Sequence, residues 1–338
     1  MAVSILGIGS VSALGSGVES LRALLSGREL PHPGQESVET PRGTVSLPVY
    51  RARLDGLDRF MQPRALRRLD QLSRMALLSA HLALEDAGLE RPDPPRVGLV
   101  FGTGHGPQLT SFAFQDGLLD DANRFASPTL FVNSVHNSLA SQVSIAMNIE
   151  GPCQTVTTFG QTVVVALDIA RGWLDAGEVD LVLVGLGDEI SPLLCYEVAC
   201  QGEGHPGELR PLEFDRCSYS PGEGFICLAL GARPEGSRYG SLERILSWRI
   251  GKESPPELAG IARDPVFLAA AGDRSEGRGY EALVGAGHEI SGHAAWYGSM
   301  PVGLAFEVAL AALTGSAVSC LACDAAGYGS LVTLSRGS

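Results

Sequence analysis

Several short segments of this chain are apolar along nearly their whole length, and that constrains the fold more than any other feature. Segments 97–101, 179–184 and 225–230 show no alternation of apolar and polar residues. A strand with one wet face alternates, whereas a strand covered on both faces reads as a continuous apolar run. Before and between these runs lie helical patterns at 72–87, 139–147 and 163–174; in the first, Leu72, Met75, Ala76, Leu82 and Ala83 share one side. Strands of this kind alternating with helices predict an α/β fold whose sheets carry helices on both faces. Segment 153–158, with Thr155, Val156, Thr157 and Thr158 in succession, reads as a further strand. A helix at 301–313 and a strand at 331–334 close the chain in an order that echoes 163–184, a hint of two related halves. Gly7-Ile8-Gly9 reads as a strand breaking into a tight turn rather than a dinucleotide loop. Segment 26–62, rich in Gly, Pro and Arg, reads as an extended surface stretch.

Charge narrows the partners. The formal net charge is −13, which argues against nucleic acid or an anionic membrane as the main partner. Lys252 is the single lysine among 25 basic residues. The seven cysteines sit mostly in apolar runs without metal-site spacing, as expected of buried thiols in a reducing compartment. No signal-peptide pattern and no run of membrane-spanning length is present, so the expected location is the cytoplasm, with no metal and no cofactor.

The most informative stretch is Gly151-Pro152-Cys153-Gln154-Thr155-Val156-Thr157-Thr158-Phe159-Gly160-Gln161-Thr162-Val163-Val164-Val165-Ala166-Leu167. It resembles the nucleophile segment of β-ketoacyl synthases, G-P-x-x-T-V-D-T-A-C-S-S-S-L-V-A-L, in which a strand turns sharply into a helix. A thiol at such a turn faces the helix N-terminus, whose dipole favours the thiolate. Other stretches match in order. They are Ile5-Leu6-Gly7-Ile8-Gly9, Arg67 to Arg74 followed by Glu85-Asp86-Ala87-Gly88-Leu89, the run from Val97 to Gly106, Asn137-Ser138, the run from Asp180 to Gly185, Arg210 to Arg216 with Gly222-Glu223-Gly224, and Gly292-His293 with Gly298. The resemblance implies a thiolase-like αβαβα layered sandwich with two pseudo-equivalent halves. The expected division is a ketosynthase-like half over 1–232 and a shortened one over 233–338.

The chain departs from the family pattern where the chemistry sits. Anchored on Gly151-Pro152, the nucleophile position is Gly160, flanked by Phe159 and Gln161. The first family His aligns with Ala271, the family Lys aligns with His288, and the second His is retained as His293. Cys153 lies upstream in the strand and is expected to be a packed thiol. In chain-length factors, the non-condensing partners of type II polyketide ketosynthases, a glutamine replaces the cysteine; Gln161 falls one position late. The resemblance therefore implies a catalytically inactive subunit that pairs with an active ketosynthase, or with itself, across the strand at 153–158. Such a subunit would shape the acyl pocket in polyketide, aryl polyene or fatty acid synthesis and meet an acyl carrier protein, with Arg64, Arg67, Arg68 and Arg74 as the basic candidates. The alternatives are a decarboxylase or acyl hydrolase using His293 with His288, and a carrier-binding scaffold.

Overall fold

The computed structural model describes residues 3–27, 32–67, 69–89, 92–120, 127–201, 209–214, 219–232, 237–250, 265–270, 277, 280 and 288–337. Apart from one separate two-stranded hairpin, its strands form an 11-stranded mixed sheet built as a repeated unit. The first unit comprises β1 (Val3–Ser12), β2 (Val97–Gly102), β3 (Cys153–Val156), β4 (Leu181–Asp188) and β5 (Gly224–Gly231). The second comprises β6 (Ser241–Arg249), β7 (Val266–Leu268), β8 (Ile290–Gly292), β9 (Val318–Cys323) and β10 (Tyr328–Leu334). A two-residue strand, Gly15–Ser16, pairs back on β1.

In the first unit β2 runs parallel between β3 and β4, β4 is antiparallel to β5, and β5 is antiparallel to β1. In the second, β7 runs parallel between β8 and β9, β9 is antiparallel to β10, and β10 is antiparallel to β6. The two units touch along β1 and β6, where Val3 faces Leu242 and Ser4 faces Ser241. This is the duplicated, thiolase-like plan that the motif series implied.

Helices α1 (Gln71–Asp86), α2 (Ser138–Met147), α3 (Thr162–Asp175) and α4 (Gly303–Thr314) fill the layers. The middle layer is α3 and α4: Val163, Ala166, Leu167 and Ala170 pack with Phe306, Ala309 and Leu310, between Ile5, Ile8, Val182 and Val184 of one unit and Cys320 and Val332 of the other. On the outer face of the first unit, α1 and α2 bury Leu72, Met75, Ala76, Leu139 and Val143 against Leu99, Phe101, Leu183 and Cys227. On the outer face of the second, Phe214 and Tyr280 cover Val266, Leu268 and Leu331.

Four expectations change. β1 does not break at its glycines; it runs through them because α1 lies directly on top. A Cβ on Gly9 would stand 1.8 Å from the Ser79 carbonyl oxygen, and one on Gly7 would stand 2.2 Å from that of Ala83. The stretch read as extended surface contains a hairpin, Gly34–Thr40 with Gly43–Val49, whose Val38, Leu47 and Val49 bury against Ile190 and Cys195. β3 stops at Val156, and Thr157-Thr158 turn away from the sheet. Finally, Cys153 is exposed on the open edge rather than packed, while Val156 turns into the middle core. Among the described residues, no helix is long and apolar enough to cross a membrane.

Candidate functional site

β3 leads through one tight turn, Phe159–Gln161, into the N-terminus of α3. The Thr158 backbone N–H donates to Thr162 Oγ1 at 3.0 Å, which closes the turn. Phe159 sits at φ +51°, a left-handed conformation that costs an aromatic residue free energy and persists only where neighbours enforce it. The first N–H groups of α3 have no partners within the helix, so the positive end of its dipole faces this turn. The strand, turn and helix thus have the geometry that the resemblance assigns to a nucleophile site, and Gly160 within the turn carries no side chain.

The space it would occupy is filled. A Cβ on Gly160 would stand 2.7 Å from both Cβ and Oδ2 of Asp324. Asp324 begins the turn between β9 and β10. Its N–H donates to the Tyr328 carbonyl at 2.9 Å, and its Oδ1 accepts from the Tyr328 N–H at 2.8 Å. No described residue donates a hydrogen bond to Oδ2. Gly160 and Asp324 thus fit each other: the glycine makes room for a carboxylate supplied by the other half of the fold.

Both border a cavity of about 370 Å³ whose wall also includes His105, Phe159, Tyr219 and Cys323, with Ala294, Pro301 and Leu304 among its apolar parts. His105 arrives on a loop anchored by Asp188 at the end of β4. Asp188 Oδ1 accepts from Thr103 Oγ1 at 2.6 Å, from the Gly104 N–H at 2.9 Å and from the His105 N–H at 2.8 Å. Burial pushes the Asp188 carboxyl up, and the nearby His105 and these donors oppose that shift. The His105 ring meets Phe159 edge-on with centroids 5.5 Å apart, and its Nε2 is buried without a hydrogen-bond partner. The next residue after Asp188, Glu189, is fully buried and points elsewhere: its Oε1 accepts from the Leu109 N–H at 2.8 Å. Burial, aided by Asp70 and Glu223, raises Glu189 to about 8.

The sequence-derived residues separate as follows. His293 is buried between Phe267 and Trp296, with ring centroids at 4.7 and 4.6 Å. Its Nδ1 lies 2.6 Å from Glu307 Oε2, and Glu307 Oε1 accepts from the His293 N–H and the Tyr297 hydroxyl. His288 precedes β8 and His293 follows it, so the strand holds them at opposite ends. Five extended residues span roughly 16 Å, too far for one catalytic pair. Gln161 does not enter the cavity; its Nε2 donates to Ser330 Oγ on β10 at 2.9 Å, and that hydroxyl donates to the Gly160 carbonyl at 3.3 Å. Ala271 and Arg68 lie outside the described residues. Arg64 and Arg67 are exposed, whereas Arg74 is committed internally, with Nε and Nη2 donating to the Leu66 carbonyl at 3.2 and 2.9 Å.

Three residues of this region escaped the sequence reading: Asp324, His105 and Glu307. Glu307 left a signal, since it is the one charge in the apolar run Gly303–Thr314. His105 lay inside a matched segment as one more loop residue. Asp324 left none, because its role depends on a contact 164 positions away in sequence.

The sequence profile described as "Beta-ketoacyl synthase, N-terminal domain" matches residues 1–226. A "Putative polyketide beta-ketoacyl synthase 1" of Streptomyces virginiae is 31% identical over 217 residues, covering 61% of this chain and 50% of that protein. A "3-oxoacyl-[acyl-carrier-protein] synthase 2" of Rhizobium meliloti is 29% identical over 246 residues, covering 66% of this chain and 57% of that protein. The chain thus spans about half the length of these curated relatives. Among solved structures, the ishigamide ketosynthase/chain length factor superposes with a TM-score of 0.74 at 18% identity over all of both chains. The ketosynthase ApeO in complex with its chain length factor ApeC, from Xenorhabdus doucetiae, superposes with a TM-score of 0.78 at 15% identity, over 99% of this chain and 98% of that one.

Proposed function

The chain belongs to the β-ketoacyl synthase family, and from that premise we propose that it performs no covalent condensation and instead serves as the non-condensing partner of an active ketosynthase. The observation that supports this reading is the Gly160–Asp324 contact: at the turn where the resemblance puts the nucleophile stands a glycine, with a carboxylate packed against it. Acyl transfer to the protein needs a thiolate at the N-terminus of α3. In the pairing, this subunit would shape the acyl pocket and meet an acyl carrier protein, as a chain-length factor does. Polyketide, aryl polyene and fatty acid pathways all accommodate such a partner.

The open edge of the sheet supports the pairing. The Leu99 N–H donates to the Pro152 carbonyl at 2.9 Å and the Thr103 N–H to the Val156 carbonyl at 3.2 Å. In the even parallel ladder, residues 152, 154 and 156 therefore direct their backbone groups to β2, and Cys153 and Thr155 direct theirs outward. An exposed edge of this kind invites another strand. Beside it, on α2 and the segment before it, Phe131, Val132, Val135 and Ile145 expose 46–79% of their surface.

Light scattering tests the pairing, on the chain alone and co-expressed with a ketosynthase of the same genome. The expected result is a dimer that Thr155→Pro dissociates, since proline removes one outward N–H without touching the ladder to β2. A chain that stays monomeric under both conditions, or a Thr155→Pro variant that pairs undiminished, would contradict the reading.

A further inference from the structure

We infer that the buried carboxyl of Glu189 is a proton-linked latch that holds the helix Gln108–Asp120 against the body of the fold. The inference is independent of the pairing proposed above and of the cavity beside Gly160. It rests first on a cluster of acids. Glu189 follows β4 and has no exposed surface, and its Oε1 accepts from the Leu109 N–H in the first turn of that helix at 2.8 Å. Its Oε2 is buried without a hydrogen-bond partner. Two more carboxyl groups face it. Asp70 comes from the N-terminus of α1, where it accepts from the Ser73 N–H and hydroxyl at 2.7 and 3.0 Å. Glu223 precedes β5 and accepts from the Ala52 N–H, Gln71 Nε2 and the Ile190 N–H at 3.1, 3.3 and 3.2 Å. The cation beside this cluster is Arg51, 4.0 Å from Glu223 Oε2 and also paired with Glu36. The helix itself brings no charge to Glu189, since its first acidic residue, Asp116, comes two turns later. Burial first, then Asp70 and Glu223, raise the Glu189 carboxyl to about 8, against the Leu109 and Leu72 N–H groups that favour the anion.

Burial decides which element gives way. The helix α1 buries ten residues, whereas Thr110 is the one buried residue among the described residues of helix Gln108–Asp120. A helix with so little apolar contact leans on polar attachments, here the Leu109 N–H on Glu189 and the Ser191 hydroxyl on Gln108 Oε1. Elements of this kind open at low free energy without unfolding the rest. Opening admits water to Glu189, which then ionises as an exposed carboxyl does. The closed state holds its proton more tightly than the open one. Closure is therefore strongest below the exposed value, weakens as pH rises, and levels above about 8, where the closed state loses its proton too. The effect extends to a neighbouring surface. Phe114 of the helix meets Phe131 with ring centroids 5.4 Å apart, and Ser111 Oγ donates to the Ser134 carbonyl at 2.9 Å. Release thus also loosens the segment that exposes Phe131 and Val132 beside the open edge of the sheet.

The test is amide hydrogen exchange of the purified full-length chain, read by mass spectrometry between pH 6 and pH 10 and corrected for the intrinsic pH dependence of exchange. In the wild type, protection of helix Gln108–Asp120 is expected to fall at least about tenfold from pH 6 to pH 8 and to level above pH 9. Local opening exposes little surface, so this exchange should be insensitive to about 1 M urea, whereas that of α4 in the core should accelerate. Glu189→Gln keeps an acceptor for the Leu109 N–H and cannot ionise, so its protection should stay constant across the range. The wild-type pH and urea responses decide the matter alone if that variant does not fold. The proposal is overturned if protection of the helix is independent of pH in the wild type. It is equally overturned if the loss responds to urea as α4 does, or if Glu189→Gln loses as much protection as the wild type.

Discussion

A thiol placed at position 160 should not bring about acylation, because the space is already taken. In a Gly160→Cys variant the new Cβ would stand 2.7 Å from Cβ and Oδ2 of Asp324 and 3.1 Å from its Cγ. Comfortable carbon contacts lie near 3.5–4.0 Å, so one side must yield by about 1 Å. Asp324 cannot simply swing aside, since Tyr328 holds both its backbone N–H and its Oδ1. Overpacking of this kind costs typically about 1–3 kcal/mol, which a thermal melt would register as a drop of a few degrees. The thiol would also sit against a carboxylate, which disfavours the thiolate. We therefore expect Gly160→Cys to be destabilised and slow toward iodoacetamide and acyl-carrier thioester. Adding Asp324→Ala should recover the stability and expose the thiol. The coupling in the double-mutant cycle is expected at about 1–3 kcal/mol, with adduct formation followed by intact mass. A single variant that melts like the wild type and acylates as fast as the double variant would refute the reasoning.

Three further outcomes follow from the packing. Glu189 rises from an ordinary value of 4.5 to about 8 through burial first, then Asp70 and Glu223. The folded state thus holds this proton more tightly than the unfolded one, so stability is greatest below the unfolded value, falls as pH rises toward about 8, and then levels. Glu189→Gln should match the wild type at pH 4, melt higher at pH 9 by an amount on the order of several kcal/mol, and show a flatter profile; identical profiles would exclude the buried acid. Gly9→Ala should fail to accumulate as soluble, helical protein, since its Cβ would lie 1.8 Å from the Ser79 carbonyl oxygen, and a normal yield and melt would show that α1 can lift off β1. Glu307→Ala should cost about 3–5 kcal/mol by denaturant titration, because it unpairs both His293 and Tyr297 in a buried site, whereas Glu307→Gln should recover part of the loss.

The duplicated fold was legible because its strands are buried on both faces and write themselves as apolar runs. Short strands were harder: β7 and β8 have three residues each, too few for a pattern. β1 was misjudged at Gly7 and Gly9 because glycine marks both turns and close approach, and only the position of α1 decides between them. A strand beginning at Cys153 was legible, but its end at Val156 and the exposure of Cys153 were not, because both depend on where the ladder to β2 stops and on which edge is left open. At the site, local order revealed what stands at position 160. It could not reveal what fills the space, since Asp324 comes from the pseudo-equivalent half. Nor could it separate His288 from His293, which are near in sequence but divided by β8.

The central claim is that no acyl group becomes covalently attached at this site. Intact-mass spectrometry of the purified chain after incubation with acyl- and malonyl-carrier thioesters tests it most directly, with a cysteine-bearing ketosynthase as the positive control. Cys323 is the cysteine that lines the cavity among the described residues, and it is the one that a bypass of Gly160 would use. The account predicts an unchanged mass for the chain and a full acyl increment for the control. A stoichiometric acyl adduct mapped to Cys323, or to any other side chain of the cavity, would contradict it.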